Sequence, residues 1–238
     1  MAVRHQGYET PTRGDSLAEQ VYRQLSNALL SGAFAPRERI NIRRLAEEIG
    51  VSVTPVRESV LRLIADGVLQ TNEKNAIFVP ELAEAEIQEI FAIRRFLEGD
   101  LAEAAARHLT AEDTEFLATT QNEFLAAMAQ EDYREVLRCN SLFHFRIYER
   151  ADLPVHLRIV ESLWLRIGPT LHHMYPILQR DRTGHQSHEN IIDQVRKRDP
   201  QALRAAIVTD LDFSEGALRQ YLEQVVQQPR RRPVSKVR

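Results

Sequence analysis

The sequence contains only one cysteine, Cys139, and no long apolar run, and these two features argue against several classes of protein. A single cysteine cannot form an intrachain disulfide, which argues against a small secreted domain held together by such bonds. No apolar stretch approaches the roughly 18 residues that a membrane-spanning helix requires. The N-terminal sequence MAVRHQGYETPTRGD also lacks the apolar segment of a signal peptide. We therefore expect a cytoplasmic protein without a membrane partner.

The sequence also lacks the short motifs that mark common enzyme sites. It contains no G-x-S-x-G nucleophile elbow, no phosphate-binding P-loop and no dinucleotide-binding G-x-G-x-x-G. It has no HExxH either, and a hydrolytic metal site needs a general base beside the metal-bound water. These absences favour a protein that is not an enzyme.

The most informative local pattern that is present lies in residues 45–80, LAEEIGVSVTPVRESVLRLIADGVLQTNEKNAIFVP. Ile42, Leu45 and Ile49 recur at helical spacing, and Gly50 then supplies the left-handed backbone position that ends a helix and turns the chain. A second helical pattern begins directly after this glycine. The order of these signals predicts two short helices joined by a tight turn.

The second predicted helix has an apolar face and a polar face. Val56, Val60 and Ile64 share one face and are expected to pack inward, while Pro55 falls in the first turn, where a missing donor costs little. Ser52 is placed to cap the free N–H groups of this helix. The opposite face begins with side chains that can reach phosphates and base edges, namely Ser52, Thr54, Arg57 and Glu58.

A short hairpin is predicted after the second helix. Gly67 ends that helix, and Val68 and Leu69 are expected to begin a strand. The apolar segment 77–79 returns as its partner around a polar tip at residues 71–75. Helix, turn, helix and this β-wing together predict a module that reads double-stranded DNA.

This stretch resembles the winged helix-turn-helix of the GntR family of bacterial transcription regulators, and the resemblance extends upstream through residues 17–42. It implies three helices and a small β-hairpin, with the second helix of the motif in the major groove. The sequence departs from the family at Val53, where many members have Arg, and at Asn75 and Ala76, where many have Gly. Carried over by position, the implied DNA contacts are Arg43, Ser52, Thr54, Arg57, Lys74 and Asn75.

From residue 82 onward the apolar residues have helical spacing throughout, and no strand pattern appears. Turn and capping signals divide this region into six amphipathic helices, predicted at residues 84–108, 111–130, 133–150, 155–170, 185–198 and 200–226. Short connections between amphipathic helices predict an all-α antiparallel bundle. The fold class is therefore mostly α, with an N-terminal winged helix-turn-helix followed by this helical bundle.

The predicted division of the chain has a disordered N-terminus at 1–14, a DNA-binding domain at 15–80, a helical ligand-binding and dimerisation domain at 81–228, and a basic disordered tail at 229–238. Charge differs between these parts, although the formal net charge is only −3. Residues 1–80 contain 10 Lys and Arg against 9 Asp and Glu, and residues 81–228 contain 16 against 25. The acidic bundle is not expected to bind nucleic acid, so the first domain must concentrate its arginines on the DNA face. The tail PRRRPVSKVR is either a solvated end or a weak phosphate-binding segment.

One group of polar residues in the bundle has the spacing of a metal site. Asn140 and His144 stand four apart, which places them on one helix face, and His188 belongs to another predicted helix. This arrangement resembles the FadR-type (FCD) effector domain of the same family, which implies a fourth ligand at Asp210, where that subgroup usually has His. The implied cofactor is a divalent ion, Zn²⁺, Mn²⁺ or Ni²⁺. The alternative is that the histidines are satisfied core residues.

The same resemblance implies an anion site at Arg94, because an Arg at this position of the FCD domain commonly points into the cavity. An organic-acid effector would bind this guanidinium through bidentate hydrogen bonds, with the metal holding another oxygen of the acid. The alternative is an internal ion pair with Glu98 at i+4.

Two functions remain open at this point. The first is a ligand-controlled regulator, expected to be a repressor, that binds palindromic half-sites as a homodimer. The second is a metalloenzyme with an incidental DNA module, which the missing motifs disfavour. A purely architectural DNA binder would leave the large helical domain without a role.

Overall fold

The structure, a computed structural model, describes residues 16–172, Tyr175 and 184–227. The predicted disordered segments 1–14 and 229–238 lie outside the described residues. Among the described helices, none combines the length and the apolarity that a bilayer span requires.

The N-terminal unit is a winged helix-turn-helix, which confirms the predicted fold. Its helices and strands in chain order are α1 (Leu17–Leu30), β1 (Arg39–Ile40), α2 (Ile42–Ile49), α3 (Val53–Ala65), β2 (Gln70–Thr71) and β3 (Ile77–Phe78). The strands form one antiparallel sheet in the order β1-β3-β2, so the predicted hairpin is the larger part of a three-stranded sheet.

Two local details of this unit differ from the sequence prediction. The second strand begins at Gln70 rather than at Val68, because the backbone N–H groups of Val68 and Leu69 both bond the carbonyl of Leu63 and still wrap the end of α3. Leu63, rather than Ile64, is the last fully buried residue of α3.

The N-terminus of α2 has a side-chain cap, whereas that of α3 has none. The side chain of Asn41 accepts hydrogen bonds from the backbone N–H of Arg43 and Arg44 at 3.1 and 3.2 Å, which caps α2. Gly50 adopts φ 78° and ends that helix, as predicted. Ser52 occupies the N-cap position of α3, but its side chain makes no capping bond, so the predicted cap is wrong.

The remaining described chain is an all-α bundle, as predicted. Its helices are α4 (Glu84–Ala105), α5 (Ala111–Ala129), α6 (Tyr133–Tyr148), α7 (Pro154–Leu171), α8 (Gly184–Lys197) and α9 (Pro200–Gln227), with a 3₁₀ turn at Glu149–Ala151. Helix α9 packs along α4, α5 packs against α6, and α8 contacts both α5 and α9. This arrangement brings α4, α6, α8 and α9 around one buried core.

The two units contact each other directly through α1 and α7. Leu165 of α7 is buried in the core of the winged unit rather than in that of the bundle. Gly168 lies against the end of α1, where an added Cβ would come within 2.9 Å of the carbonyl oxygen of Leu29. A larger residue at Gly168 would therefore push the two helices apart.

Candidate functional site

The first candidate site is the exposed face of the winged unit. Ser52, Thr54 and Arg57 are exposed at the start of α3, as the predicted contacts of a DNA-reading helix require. Arg43 lies in the first turn of α2. The structure thus presents four of the predicted DNA contacts from the two helices of the motif.

The other two predicted contacts, Lys74 and Asn75, lie in the tip of the wing. The side-chain oxygen of Asn72 accepts hydrogen bonds from the backbone N–H of Lys74 and Ala76, both at 3.0 Å, and this closes a tight turn. Asn75 adopts φ 56°, a left-handed conformation that asparagine tolerates better than most residues. The departure from glycine at the wing tip is therefore accommodated by the local backbone.

A cleft of about 280 Å³ separates the wing from α2 and α3. Three arginines line it: Arg43 and Arg57, which were predicted as DNA contacts, and Arg39 of β1, which was not. Sequence reasoning missed Arg39 because a strand of two residues leaves no periodic pattern. Asn75 lines the same cleft, so the helices and the wing border one concave surface.

The second candidate site is a buried polar cluster in the bundle. His144 on α6, His188 on α8 and Asp210 on α9 each offer one ligand atom, and these atoms lie within 4.8 Å of one another. All three residues are buried. Asn140 lies one helical turn before His144 and is half-buried. Three of the four predicted metal ligands are therefore brought together from three helices that are distant in the sequence.

Hydrogen bonds fix the orientation of both imidazoles. Nδ1 of His188 lies 2.7 Å from the side-chain oxygen of Gln121, and the ring stacks on Phe143 with centroids 4.2 Å apart. Because an amide oxygen only accepts, His188 donates from Nδ1, so the lone pair of its neutral ring lies on Nε2. Gln121 thus determines which nitrogen of His188 could bind a cation.

His144 is oriented by a comparable bond. The hydroxyl of Tyr148 donates to Glu98 at 2.6 Å and lies 3.2 Å from Nδ1 of His144. Burial, together with the charge of Glu98, raises the pKa of Tyr148 well above its usual value, so this hydroxyl keeps its proton. Its oxygen then accepts from Nδ1 of His144, so the lone pair of this imidazole lies on Nε2 when the ring is neutral.

The carboxylate of Asp210 lies beside both imidazoles and favours positive charge there. Nε2 of His144 lies 3.3 Å from a carboxylate oxygen of Asp210. Burial would raise the pKa of Asp210, but the hydrogen bond and charge of His144, the charge of His188 and the bond from Ser187 lower it below its usual range. Once a cation replaces the protons on Nε2 of the two imidazoles, their lone pairs and the charged carboxylate form a donor set that suits a divalent ion. The residues present therefore fit a metal ion.

Glu98 lies beside this cluster and joins it to Arg94. The carboxylate of Glu98 accepts from Nε of Arg94 at 2.6 Å, from the indole N–H of Trp164 at 3.0 Å and from Tyr148. Arg94 is 2% exposed and Glu98 is fully buried, so the internal ion pair weighed in the sequence analysis is confirmed. The guanidinium of Arg94 also stacks over the ring of Trp164, 4.4 Å from its centroid. The effector role of Arg94 stays a prediction.

Several residues of this site gave no signal in the sequence. Gln121, Tyr148, Trp164 and Ser187 all read as ordinary helix residues, because their roles depend on contacts between helices. The buried Nε2 of Gln121 also has no hydrogen-bond partner within the described part of the chain. That amide nitrogen is a donor available to a bound molecule.

Comparison with known proteins assigns both units to described families. Residues 17–79 match the family described as bacterial regulatory proteins, gntR family, and residues 89–213 match the FCD domain.

Individual relatives have the same organisation. The chain is 36% identical over 160 residues to the HTH-type transcriptional regulator McbR of Escherichia coli (strain K12), an alignment that covers 67% of this chain and 72% of that protein. It is 28% identical over 211 residues to the uncharacterized HTH-type transcriptional regulator YdhC of Bacillus subtilis (strain 168), covering 86% and 92%. The solved structure of E. coli McbR/YncC superposes with a TM-score of 0.81 at 29% identity, covering 88% of this chain and 100% of that one.

Proposed function

The chain belongs to the gntR family of bacterial regulatory proteins and carries an FCD effector-binding domain, and on this premise we propose that it is a repressor released from DNA by an organic acid. It is a DNA-binding transcription regulator rather than an enzyme. We propose that residues 15–80 form the DNA-binding domain and residues 81–228 the ligand-binding and dimerisation domain. One observation supports ligand control: Trp164 of α7 contacts His144 and Glu98 in the bundle, and the adjacent Leu165 is buried in the winged core.

We propose that the winged unit contacts DNA through both of its reading elements. Arg57 would reach a base edge or a phosphate in the major groove, and the wing would approach the flanking groove. The full set of proposed contacts is Arg43, Ser52, Thr54, Arg57, Lys74 and Asn75. The shared cleft bordered by Arg43, Arg57 and Asn75 supports this assignment.

We propose that His144, His188 and Asp210 hold a divalent ion, with Asn140 as a fourth ligand. When bound, the ion would supply a Lewis-acid site for an oxygen of the effector. Zn²⁺, Mn²⁺ and Ni²⁺ all accept imidazole nitrogen with carboxylate and amide oxygen. Gln121 and Tyr148 keep the two imidazoles in the tautomers that this role requires.

The charge of the site supports an anionic effector. Arg94 and Glu98 cancel each other, and Asp210 adds one negative charge. A divalent ion would make the cluster positive, so that an organic acid would be attracted. A guanidinium has five N–H donors, and the recorded bonds from Arg94 to Glu98 use only Nε and Nη2. We propose that an effector carboxylate is bound through Nη1.

A homodimer is supported by an exposed apolar patch on α4 and α7. Contacts between His156 and Asp100 and between Arg166 and Glu86 show that these helices lie antiparallel. This register places the exposed Ile159 of α7 level with Ile93 and Phe96 of α4, and Val155 one turn away. Phe96 is 62% exposed, which is unusual for a large aromatic residue. We propose that a second copy covers this patch and that the dimer reads palindromic half-sites.

The proposed route of control runs along α7. Trp164 bonds Glu98 on the bundle side, while the next residue, Leu165, is buried in the winged core. An effector that shifts Glu98 or Trp164 would therefore move Leu165 and Gly168 against α1. A small displacement there would change the relative position of the two winged units in a dimer and hence the half-site spacing.

The proposed function is tested by measuring operator binding with and without candidate acids and metal. An operator would first be selected from a pool of randomised duplexes, and organic acids would be screened by thermal shift with and without Zn²⁺, Mn²⁺ or Ni²⁺. An acid that raises the melting temperature only with metal present, and weakens operator binding, supports the proposal. Stronger operator binding with the acid would contradict the release mechanism.

The metal site has its own test in elemental analysis. We expect about one divalent ion per chain, lost in His144→Ala, because the loss of one of the four proposed ligands leaves too few donors. His156→Ala is the matched control, since His156 pairs with Asp100 outside the cluster. Asp210→His should shift preference toward Zn²⁺ and Ni²⁺, because imidazole replaces a harder oxygen. Absence of metal under every loading condition would make the cluster a polar core.

A further inference from the structure

β1 contributes an arginine that the sequence analysis did not assign to DNA binding. In the register of the sheet, Arg39 pairs with Phe78 and Ile40 pairs with Ile77. Ile40 is buried in the winged core, and neighbouring residues of a strand face opposite sides of the sheet. Arg39 is therefore exposed on the outer side, where it lines the cleft between the wing and the helices.

The lining of this cleft is cationic. It includes Arg39, Arg43 and Arg57 with the amides Asn41 and Asn75, and its remaining residues are apolar. No Asp or Glu is among the described residues that line it. Three guanidinium groups around one concave surface repel one another unless an anion lies between them. The shape and the charge of the cleft thus match a phosphate-bearing strand.

The ion pairing of neighbouring arginines sharpens this contrast. Arg37 pairs with Glu81, Arg44 with Glu48, and Arg62 with Glu19. Within residues 16–172, Tyr175 and 184–227, Arg39 makes no recorded ion pair or side-chain hydrogen bond, although Arg37 lies only two positions earlier. The side chain of Arg39 is therefore available to a ligand in a way that the side chain of Arg37 is not.

We propose that Arg39 binds a backbone phosphate of the DNA strand that passes between the groove entered by α3 and the groove approached by the wing. This inference rests on DNA binding by the winged unit and adds a positioning contact from its first strand. Arg39 stands on the sheet beside the wing rather than on α3, so we expect it to reach the backbone rather than a base edge. A guanidinium binds a phosphate through two parallel hydrogen bonds, which fixes the register of the protein on the duplex.

The experiment measures affinity for a random-sequence duplex and for the selected operator between about 50 and 200 mM salt. A lost phosphate contact lowers the slope of log affinity against log salt by about one. Arg39→Ala should therefore lower that slope by about one and weaken binding on the order of tenfold at about 0.1 M salt, equally on both duplexes. Arg39→Lys should retain most of the slope, because it keeps the charge.

Arg37→Ala is the matched control, because Arg37 lies two residues before Arg39 but is paired with Glu81. It should leave the slope unchanged. Arg39→Gln and the thermal melting of each variant guard against a folding defect. An unchanged slope in Arg39→Ala and Arg39→Gln, with a reduced slope in Arg43→Ala, would overturn the inference and leave the function intact. A wild-type protein that binds neither duplex would overturn both.

Discussion

The arginines of the winged cleft and those of the bundle core differ in their exposure and in their ion pairing. Arg39 and Arg57 are exposed beside the wing and have no ion-pair partner among the described residues. Arg94 is buried between an aromatic ring and Glu98, and Arg146 and Arg150 of the bundle converge on the buried Asp113. A charge that is removed from water must be paired, whereas a charge that is to meet DNA has to remain available.

This difference shows that the number of arginines in a region does not by itself identify a DNA-binding face. The bundle contains more arginines than the winged unit, yet those in its core are neutralised within the chain. The proposed function of the winged cleft depends on three guanidiniums that make no ion pair with the described residues. Substitutions at paired arginine sites of the bundle should therefore change mainly the free energy of unfolding, and substitutions in the winged cleft mainly the affinity for DNA.

Removing the partner of the most buried arginine should have the largest effect on stability. Glu98→Gln leaves the guanidinium of Arg94 in the core without a carboxylate, and we expect a loss of about 3–5 kcal/mol in the free energy of unfolding. Urea unfolding measures this loss. The double variant with Arg94→Met should recover part of it, because the uncompensated charge is gone. If the single and double variants were equally stable, the uncompensated charge of Arg94 would not be the cause of the loss in stability.

Asp113 offers a pH-dependent version of the same test. Burial would raise its pKa, but hydrogen bonds from Arg150 and Thr110 and the charge of Arg146 lower it to about 2. A lowered folded-state pKa stabilises the protein above the unfolded value near 4, and this contribution is lost as the pH falls toward 2. Because both arginines reach the surface, we expect Asp113→Asn to cost about 1–2 kcal/mol at pH 7.

The pH series decides whether that cost is electrostatic. The difference between wild type and Asp113→Asn should shrink as the pH falls from 4 toward 2, since the carboxyl of the unfolded wild-type chain binds a proton in this range and thereby favours unfolding. A difference that stays constant over this range would assign the effect to packing. Asp193→Asn is a suitable control, because Asp193 forms an exposed pair with Arg196.

A paired but exposed arginine should contribute much less. Arg62 bonds Glu19 at 2.8 Å and lies over the ring of Tyr22, yet about half of its side chain is exposed. We expect Arg62→Ala to cost below about 1 kcal/mol, because solvent and salt screen such a pair. Thermal unfolding at low and high salt measures the electrostatic share. A loss as large as that of Glu98→Gln would remove the distinction between exposed and buried pairs.

The smallest effect on stability is expected where the effect on binding is large. Arg57→Ala should change the free energy of unfolding by no more than about 0.5 kcal/mol, because the exposed side chain has no partner to lose. The same change should weaken operator binding by roughly 1–3 kcal/mol if Arg57 reads a base. Its buried neighbour Val56 is the matched control, and Val56→Ala should cost roughly 2 kcal/mol of stability. Unchanged operator affinity in Arg57→Ala would remove Arg57 from the DNA contacts.

The sequence predicts the helices well because each one carries its own boundary signals. The six bundle helices begin and end within three residues of the predicted positions, where residues such as Thr110, Asp132 and Pro154 supply caps and first turns. The strands are predicted less well. β1 has only two residues, and its existence depends on β3, whose paired residues lie 37 and 39 positions later in the sequence. Pairing over such distances leaves no local periodicity.

The candidate sites follow the same division. His144, His188 and Asp210 are identified by the family resemblance, and the structure brings them together. Gln121 and Tyr148, which set the tautomers of the two imidazoles, come from tertiary packing and have no sequence signature. The pairing of Arg94 with Glu98 could be anticipated from the i+4 spacing, but its burial could not.

The position of Leu165 has a consequence for exchanging parts between relatives. The chain passes from the winged unit to the bundle near residue 80, but the winged core includes a side chain that arrives 85 residues later. A chimera joined at residue 80 would combine α1 from one parent with α7 from the other, although α7 completes the core of the winged unit. Exchange of the DNA-binding half should therefore succeed only when residues 165 and 168 of α7 are taken from the same parent, because Leu165 and Gly168 are as much a part of that half as α1 itself.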